Sequence, residues 1–104
     1  MLNVCDLTPT FCQLTSAVMP AGYQSDGVDA GDALRGKPFR RAVPMMWHHP
    51  TGPAKSPALA IRDGDWKLMM DPDGARLALY NLANDLSEKR DVAAEHRAVV
   101  ERLK

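Results

Sequence analysis

The residues best equipped for chemistry in this chain are few and widely spaced. His48 and His49 are adjacent, and imidazole is the commonest metal ligand and acid–base group near neutral pH. Neighbouring side chains on a strand point to opposite faces, so regular β geometry cannot bring this pair to one ion. Neither histidine has a Cys or His at zinc spacing. Asp26, Asp29 and Asp32 recur every third residue in "SDGVDAGDAL". A calcium-binding EF-hand loop needs ligands at positions 1, 3 and 5 and a late glutamate, so these acids read as solvated loop carboxylates and caps. Trp66 beside Lys67 has the makings of a sugar-stacking platform. A tryptophan on the inward side of a meander belongs to the core, however, and Lys67 then faces the other way. His96 has no acid–base partner that can be named from sequence and reads as surface.

No nucleophile sits in a recognisable frame. The chain has no G-x-S-x-G elbow and no glycine-rich phosphate loop. Its two cysteines, Cys5 and Cys12, are expected about 10 Å apart along one helix. A disulfide needs Cα atoms within about 7 Å, so these should be unbridged thiols acting as small buried hydrophobes. The expectation is therefore no catalytic residue and no metal ligand within this chain.

Composition bounds the remaining classes. The 104 residues carry 13 basic and 13 acidic side chains, a balance that excludes the basic face a nucleic acid requires. It equally excludes a basic helix lying on a membrane surface. No stretch approaches the roughly 18 apolar residues of a membrane span. The opening "MLNVCDLTPT" has no basic stretch and meets an acid early, unlike a signal peptide.

The elements that would position these residues can be read from apolar spacing. "DLTPTFCQLTSAV" predicts a helix capped by Asp6, with Pro9 in the first turn. Leu7, Phe11, Leu14 and Val18 fall on one face of it. A long Gly-, Pro- and Asp-rich connection follows. "RRAVPMMWHH" predicts a strand with Val43, Met45 and Trp47 on one side; Pro44 assigns it to an edge or gives it a bulge. After a proline-rich loop at 50–58, "ALAIRDGDWKLMM" alternates Leu59 and Ile61, then Trp66, Leu68 and Met70, around Asp63-Gly64. That pattern predicts a hairpin with a type I′ turn. "DPDG" at 71–74 is a further turn, and "RLALYNL" a further strand with Leu77 and Leu79 opposite Tyr80. Asp85 and Glu88 are spaced as a capping box. Val92, Val99, Val100 and Leu103 form the apolar stripe of a final helix ending near Lys104, which should pack on the sheet.

Taken in order, four segments resemble the C-terminal end of a sulfatase of the arylsulfatase type, in particular the bacterial N-acetylgalactosamine-6-sulfatase-like enzymes. "DLTPTFCQLTSA" is similar to the family's "D-hydrophobic-x-P-T" helix, and "DGVDAGDALRGK" to the segment after it. "AIRDGDWKLMM" resembles its R-x-G-x-(W/Y)-K hairpin. "LALYNLANDLSEKRDVAAEHRAVVERL" follows its L-Y-(D/N)-L-x-x-D-x-x-E pattern. The resemblance implies an α+β fold: an antiparallel meander of three to four strands against a C-terminal helix, preceded by an N-terminal helix and long loop. Residues 1–38 would border an α/β catalytic domain of the alkaline-phosphatase-like type, and 39–104 would form the sheet-and-helix subdomain.

The family hydrolyses sulfate esters of carbohydrates or aryl alcohols with a formylglycine, made from a C/S-x-P-x-R motif, beside a calcium. Cys5 and Cys12 lack the Pro and Arg of that motif, so formylglycine and calcium are expected in the catalytic domain and this chain alone is expected to be inactive. His48, His49 and Lys67 are the candidates for the rim of the substrate cleft. The family is commonly periplasmic or secreted, and nothing in this chain fixes its compartment. The exposed interdomain side, with Phe11, Leu14, Met45 and Met46, suggests a homodimer in isolation. A freestanding interaction module with no catalytic role is the alternative.

Overall fold

Four short runs of alternating residues build one antiparallel sheet in the computed structural model, which describes residues 1–49 and 56–104. Strands β1 (Met45–His48), β2 (Leu59–Asp63), β3 (Trp66–Met70) and β4 (Ala78–Asn81) lie in the order β1-β2-β3-β4. This is an up-and-down meander. The described residues also form α-helices α1 (Leu7–Thr15), α2 (Gly31–Leu34) and α3 (Arg97–Leu103). The fold is α+β, as expected. It divides into two compact units, Met1–Val43 and Pro44–Lys104.

In the second unit, register places Met46, Ile61, Leu68 and Leu79 opposite one another across all four strands. Leu68 and Leu79 are fully buried there, and Val92, Val100 and Leu103 close over them. Burying one such side chain contributes about 1.5–3 kcal/mol. β1 is an edge strand, with Pro44 immediately before it, where its missing N–H costs no ladder bond. Val43 lies outside β1 and is exposed. Met45, expected on an exposed side, is 5% exposed.

Three local expectations shift. Asp63 pairs with Trp66 inside the ladder, so the hairpin loop is Gly64-Asp65. Positive φ occurs at Gly64 and not at Asp65, which is the II′ signature rather than I′. The proposed capping box does not form: Asp85 accepts hydrogen bonds from the Lys89 and Arg90 amides, while Glu88 turns away in a left-handed conformation (φ 53°). The last helix begins only at Arg97, and Val92 reaches the core from the turn before it. The "DPDG" turn forms as read, with Gly74 at φ 81°. The proline-rich loop falls mainly at 50–55, outside the described residues.

The first unit is organised around polar groups. Asp6 stands at the N-cap position of α1 but its side chain caps no amide there; the cap is one turn earlier, where the Asn3 side chain accepts from the Cys5 amide and Asp6 accepts from the Asn3 amide at 2.8 Å. This reciprocal pair satisfies the orphan donors that start the helix. A 3-10 turn (Val4–Asp6) runs directly into α1, so Asp6 is already helical. The helix ends at Thr15, three residues before Val18, where Ser16 adopts positive φ.

Candidate functional site

The three residues singled out as rim candidates do not converge. His48 ends β1 opposite Leu59 and, being in phase with Met46, lies on the α3 side of the sheet. It lines an apolar groove of about 450 Å³ with Met46, Leu59, Ile61, Met70 and Leu103. His49 follows the strand, is exposed, and donates its backbone N–H to the Ala58 carbonyl at 2.8 Å, extending the ladder by one bond. Lys67 is one residue out of phase with Leu68 and therefore points to the opposite side, between Arg62 and Tyr80 in the register.

Lys67 is not a free cation. Its ammonium bonds both carboxylate oxygens of Glu88, at 2.7 and 2.8 Å. The pair is mostly covered, with side chains 22% and 31% exposed. Tyr80, beside Lys67, has its phenol pushed above the usual range, first by burial and then by the nearby Asp91, Glu88 and Asp85 carboxylates. On this side of the sheet Glu88 compensates the Lys67 charge, while Asp91 and Asp85 are held by backbone amides.

Around the β4–α3 connection a second small cleft, about 230 Å³, is lined by Asn81, Asn84, Asp85, Arg90, Glu95 and His96. Its charges are also internally matched: Arg90 pairs with Glu95 at 2.7 Å, and Asp85 holds two backbone amides. His96, read as an unpartnered surface residue, places its ring 4.8 Å from that of Trp66, tilted by 57°. Trp66 itself packs on the core, as expected. Sequence offered no signal for the ring pair, because thirty residues separate the two rings along the chain.

The first unit holds the most constrained polar constellation in the protein. Asp6 and Thr10 are each 1% exposed. The Asp6 carboxylate accepts from the Asn3 and Val28 amides and from the Arg41 guanidinium at 2.5 Å. Thr10 donates to the Asp6 carbonyl and accepts from the Ala30 amide. Burial pushes the Asp6 carboxyl upward, but the Arg41, Val28 and Asn3 hydrogen bonds outweigh it and hold the group below its usual range. Asp6, in the 3-10 turn, and Thr10, in α1, thus fasten residues 26–31 and 41 onto the start of the helix. Sequence reasoning saw only a cap in Asp6; the downstream partners lie 22 and 35 residues away.

Among the described residues, no three His, Cys, Asp or Glu side chains are grouped to hold a metal ion. The cysteines are free. Cys5 is exposed rather than buried, and the Cys12 thiol lies 3.4 Å from the Met19 sulfur. Among the described residues, no helix is long and apolar enough to cross a membrane.

No family model and no curated protein matches the chain. Solved structures do. Ps i-CgsB superposes with a TM-score of 0.73 at 26% identity, over 94% of this chain and 21% of its own. The same protein in complex with k-i-k-neocarrahexaose gives 0.72 at 26% identity, again over 94% of this chain and 21% of its own. A 2-O GAG sulfatase gives 0.58 at 25% identity, covering 93% of this chain and 23% of that one. A putative sulfatase from Bacteroides thetaiotaomicron gives 0.59 with the same identity and coverages. The chain thus spans about a fifth of the length of the structures it matches, and its sheet, its N-terminal helix and its C-terminal helix together reproduce the architecture of the C-terminal subdomain of sulfatases.

Proposed function

We propose that this chain is the C-terminal part of a sulfatase acting on a sulfated carbohydrate, and that it serves the parent as a structural subdomain rather than as its reaction centre. The observation carrying this reading is the asymmetry of the matches: nearly all of this chain corresponds to about a fifth of each neighbour. The carbohydrate assignment is supported by neighbours crystallised with k-i-k-neocarrahexaose or described as a 2-O GAG sulfatase.

The side-chain chemistry agrees. Sulfate-ester cleavage needs a strong nucleophile and a cation to neutralise the charge that develops on the sulfate oxygens. Cys5 and Cys12 are followed by "DLTP" and "QLTS", so neither fits a formylglycine precursor. The donor set described above does not fit a calcium site either. Both groups are assigned to the parent's α/β domain, and no reaction step runs through this chain. Its contribution to the substrate rim is assigned to His48 and His49, which are exposed. Lys67, compensated by Glu88, would act there only through the shape of the surface it holds.

The test is a reading of the coding sequence upstream of Met1 together with an assay. An in-frame C/S-x-P-x-R and no release of sulfate by the purified 104-residue chain from 4-nitrophenyl sulfate or sulfated oligosaccharides, with calcium present, are expected. Turnover by the isolated chain, or an upstream sequence without that motif, would overturn the proposal.

A further inference from the structure

The small cleft beside the β4–α3 connection is lined by side chains that nothing else in the fold uses. Its volume is about 230 Å³, below the roughly 300 Å³ at which sites for drug-sized ligands begin, so it has room for one small ring. Val92, buried in the core, lines it from within. Its charged groups are committed. Arg90 meets Glu95 at 2.7 Å, and Asp85 accepts the Lys89 and Arg90 amides. Asn81, Asn84 and His96 differ. Asn81 uses only its side-chain oxygen, which accepts from the Ala83 amide at 3.1 Å, and its NH₂ group is left over. Among the described residues, neither the Asn84 side chain nor the His96 imidazole makes a hydrogen bond. The His96 ring is instead set 4.8 Å from that of Trp66.

We propose that this cleft is a subsite for one uncharged sugar ring of a glycan, held by the Asn81 and Asn84 carboxamides and the His96 imidazole. Its chemistry selects that ligand. Carboxamides and imidazole bring hydrogen-bond donors and acceptors together, and each sugar hydroxyl is itself both donor and acceptor. Asp85 and Glu95 set two carboxylates in the lining against the single guanidinium of Arg90. A sulfate entering there meets like charge, which penalises it. Apolar Val92 beside a few convergent polar groups is the usual composition of a small-molecule site, and it suits a ring with C–H and O–H surfaces. The inference rests on the carbohydrate reading above and deepens it by adding a second contact with the glycan. His48 belongs to β1 and Asn81 to β4, at opposite edges of the sheet. Three strand spacings, at least about 14 Å, therefore separate them. A ligand that engages both places is a chain, and the unit seated in this cleft is one without sulfate.

The experiment titrates the 104-residue chain with the methyl β-glycosides of galactose and glucose, and with their 6-O-sulfates, while the side-chain amide resonances of Asn81 and Asn84 are followed by NMR. At least one neutral glycoside should move both resonances with a millimolar dissociation constant, and its sulfate should bind about tenfold more weakly or worse. The double variant Asn84→Ala, His96→Phe keeps a ring against Trp66 and removes two of the three polar groups. It should weaken binding by about tenfold or more, with an unfolding midpoint within about 4 °C of the native one. Should that variant fail to fold, Asn81→Asp decides. It retains the oxygen that accepts from Ala83 and exchanges the NH₂ group for further negative charge, so binding should fall by the same factor. Resonances that stay in place throughout, a sulfate that binds as well as its neutral parent, or a folded variant that binds like the native chain would each overturn the inference. An upstream sequence without C/S-x-P-x-R removes the functional reading; a silent titration removes only this inference.

Discussion

Lys67 and Glu88 meet head-on, the ammonium 2.7 and 2.8 Å from the two carboxylate oxygens, across the sheet side that faces away from α3. Glu88 reaches this position from a left-handed backbone (φ 53°), which costs a non-glycine residue roughly 1–2 kcal/mol. The fold accepts that cost because the pair ties the β4–α3 connection to the middle of β3. A lysine one position after Trp66 in the hairpin is thus a structural anchor first.

Two substitutions at Glu88 separate the parts. Glu88→Ala keeps the left-handed strain and strands the Lys67 ammonium, so it should destabilise the second unit by about 1–2 kcal/mol. Glu88→Gly loses the same ion pair but relieves the strain at that φ, so its loss should be smaller. Chemical denaturation followed by tryptophan fluorescence measures both. A Gly variant less stable than the Ala variant would contradict this account of the backbone.

The buried row across the strands predicts a larger effect. Leu79 is 0% exposed and Leu68 1%, directly opposite in the register. Leu79→Ala should cost about 2–5 kcal/mol, enough to consume a large part of a small domain's stability. The same truncation at Met46, 75% exposed in the same row, should stay within about 0.5 kcal/mol. Equilibrium denaturation of the two variants gives the comparison.

Gly27 is required for contact rather than for a turn. A Cβ there would lie 1.9 Å from the Cys5 carbonyl oxygen and 2.4 Å from its carbon, both backbone atoms that cannot rotate away. Gly27→Ala must therefore push the 26–31 segment off the start of α1, stretching the bond from the Val28 amide to Asp6. Amide exchange at Val28 and Ala30 should accelerate by at least about tenfold, the equivalent of 1.4 kcal/mol. Amides of the β2–β3 ladder, in the other unit, should keep their native rates.

How much of this could be read beforehand follows the range of the interactions. The strands were legible because Leu59, Ile61, Trp66, Leu68 and Met70 alternate on either side of a glycine, a pattern local to a dozen residues. The turn slipped by one residue because Asp-Gly suits both a I′ loop and the entry to a Gly-first II′ loop; the Asp63–Trp66 pairing decides between them. Asp6, at the N-cap position of α1, makes no cap bond for a related reason. Asn3 and Asp6 are both good helix-start residues, and which one caps depends on Val28 and Arg41 having claimed the Asp6 carboxylate. Glu88 shows the same thing: at capping-box spacing from Asp85, it is taken instead by a lysine 21 residues upstream. Residue type alone marks His48 and Lys67 as rim candidates, whereas pleat phase puts them on opposite sides of the sheet.

Asp6 also predicts a pH dependence confined to the first unit. Its carboxyl titrates below the ordinary 3.8 in the folded chain, where burial is outweighed by the Arg41, Val28 and Asn3 hydrogen bonds. A group whose pKa is depressed by folding contributes stability that is present above its unfolded value and is lost as pH falls through the folded one. Stability of the Met1–Val43 unit should therefore hold down to about pH 4 and decline below it, as protonated Asp6 releases Arg41 and Val28. Asp6→Asn should start from lower stability, because the neutral amide pairs poorly with the guanidinium, and should lack the part of the acid decline that belongs to this carboxyl. Amide exchange at Val28 and Ala30, followed between pH 6 and 2 and corrected for the intrinsic rate, reads this directly. Equal acid sensitivity in Asp6→Asn and the native chain would show that another carboxylate governs the unit.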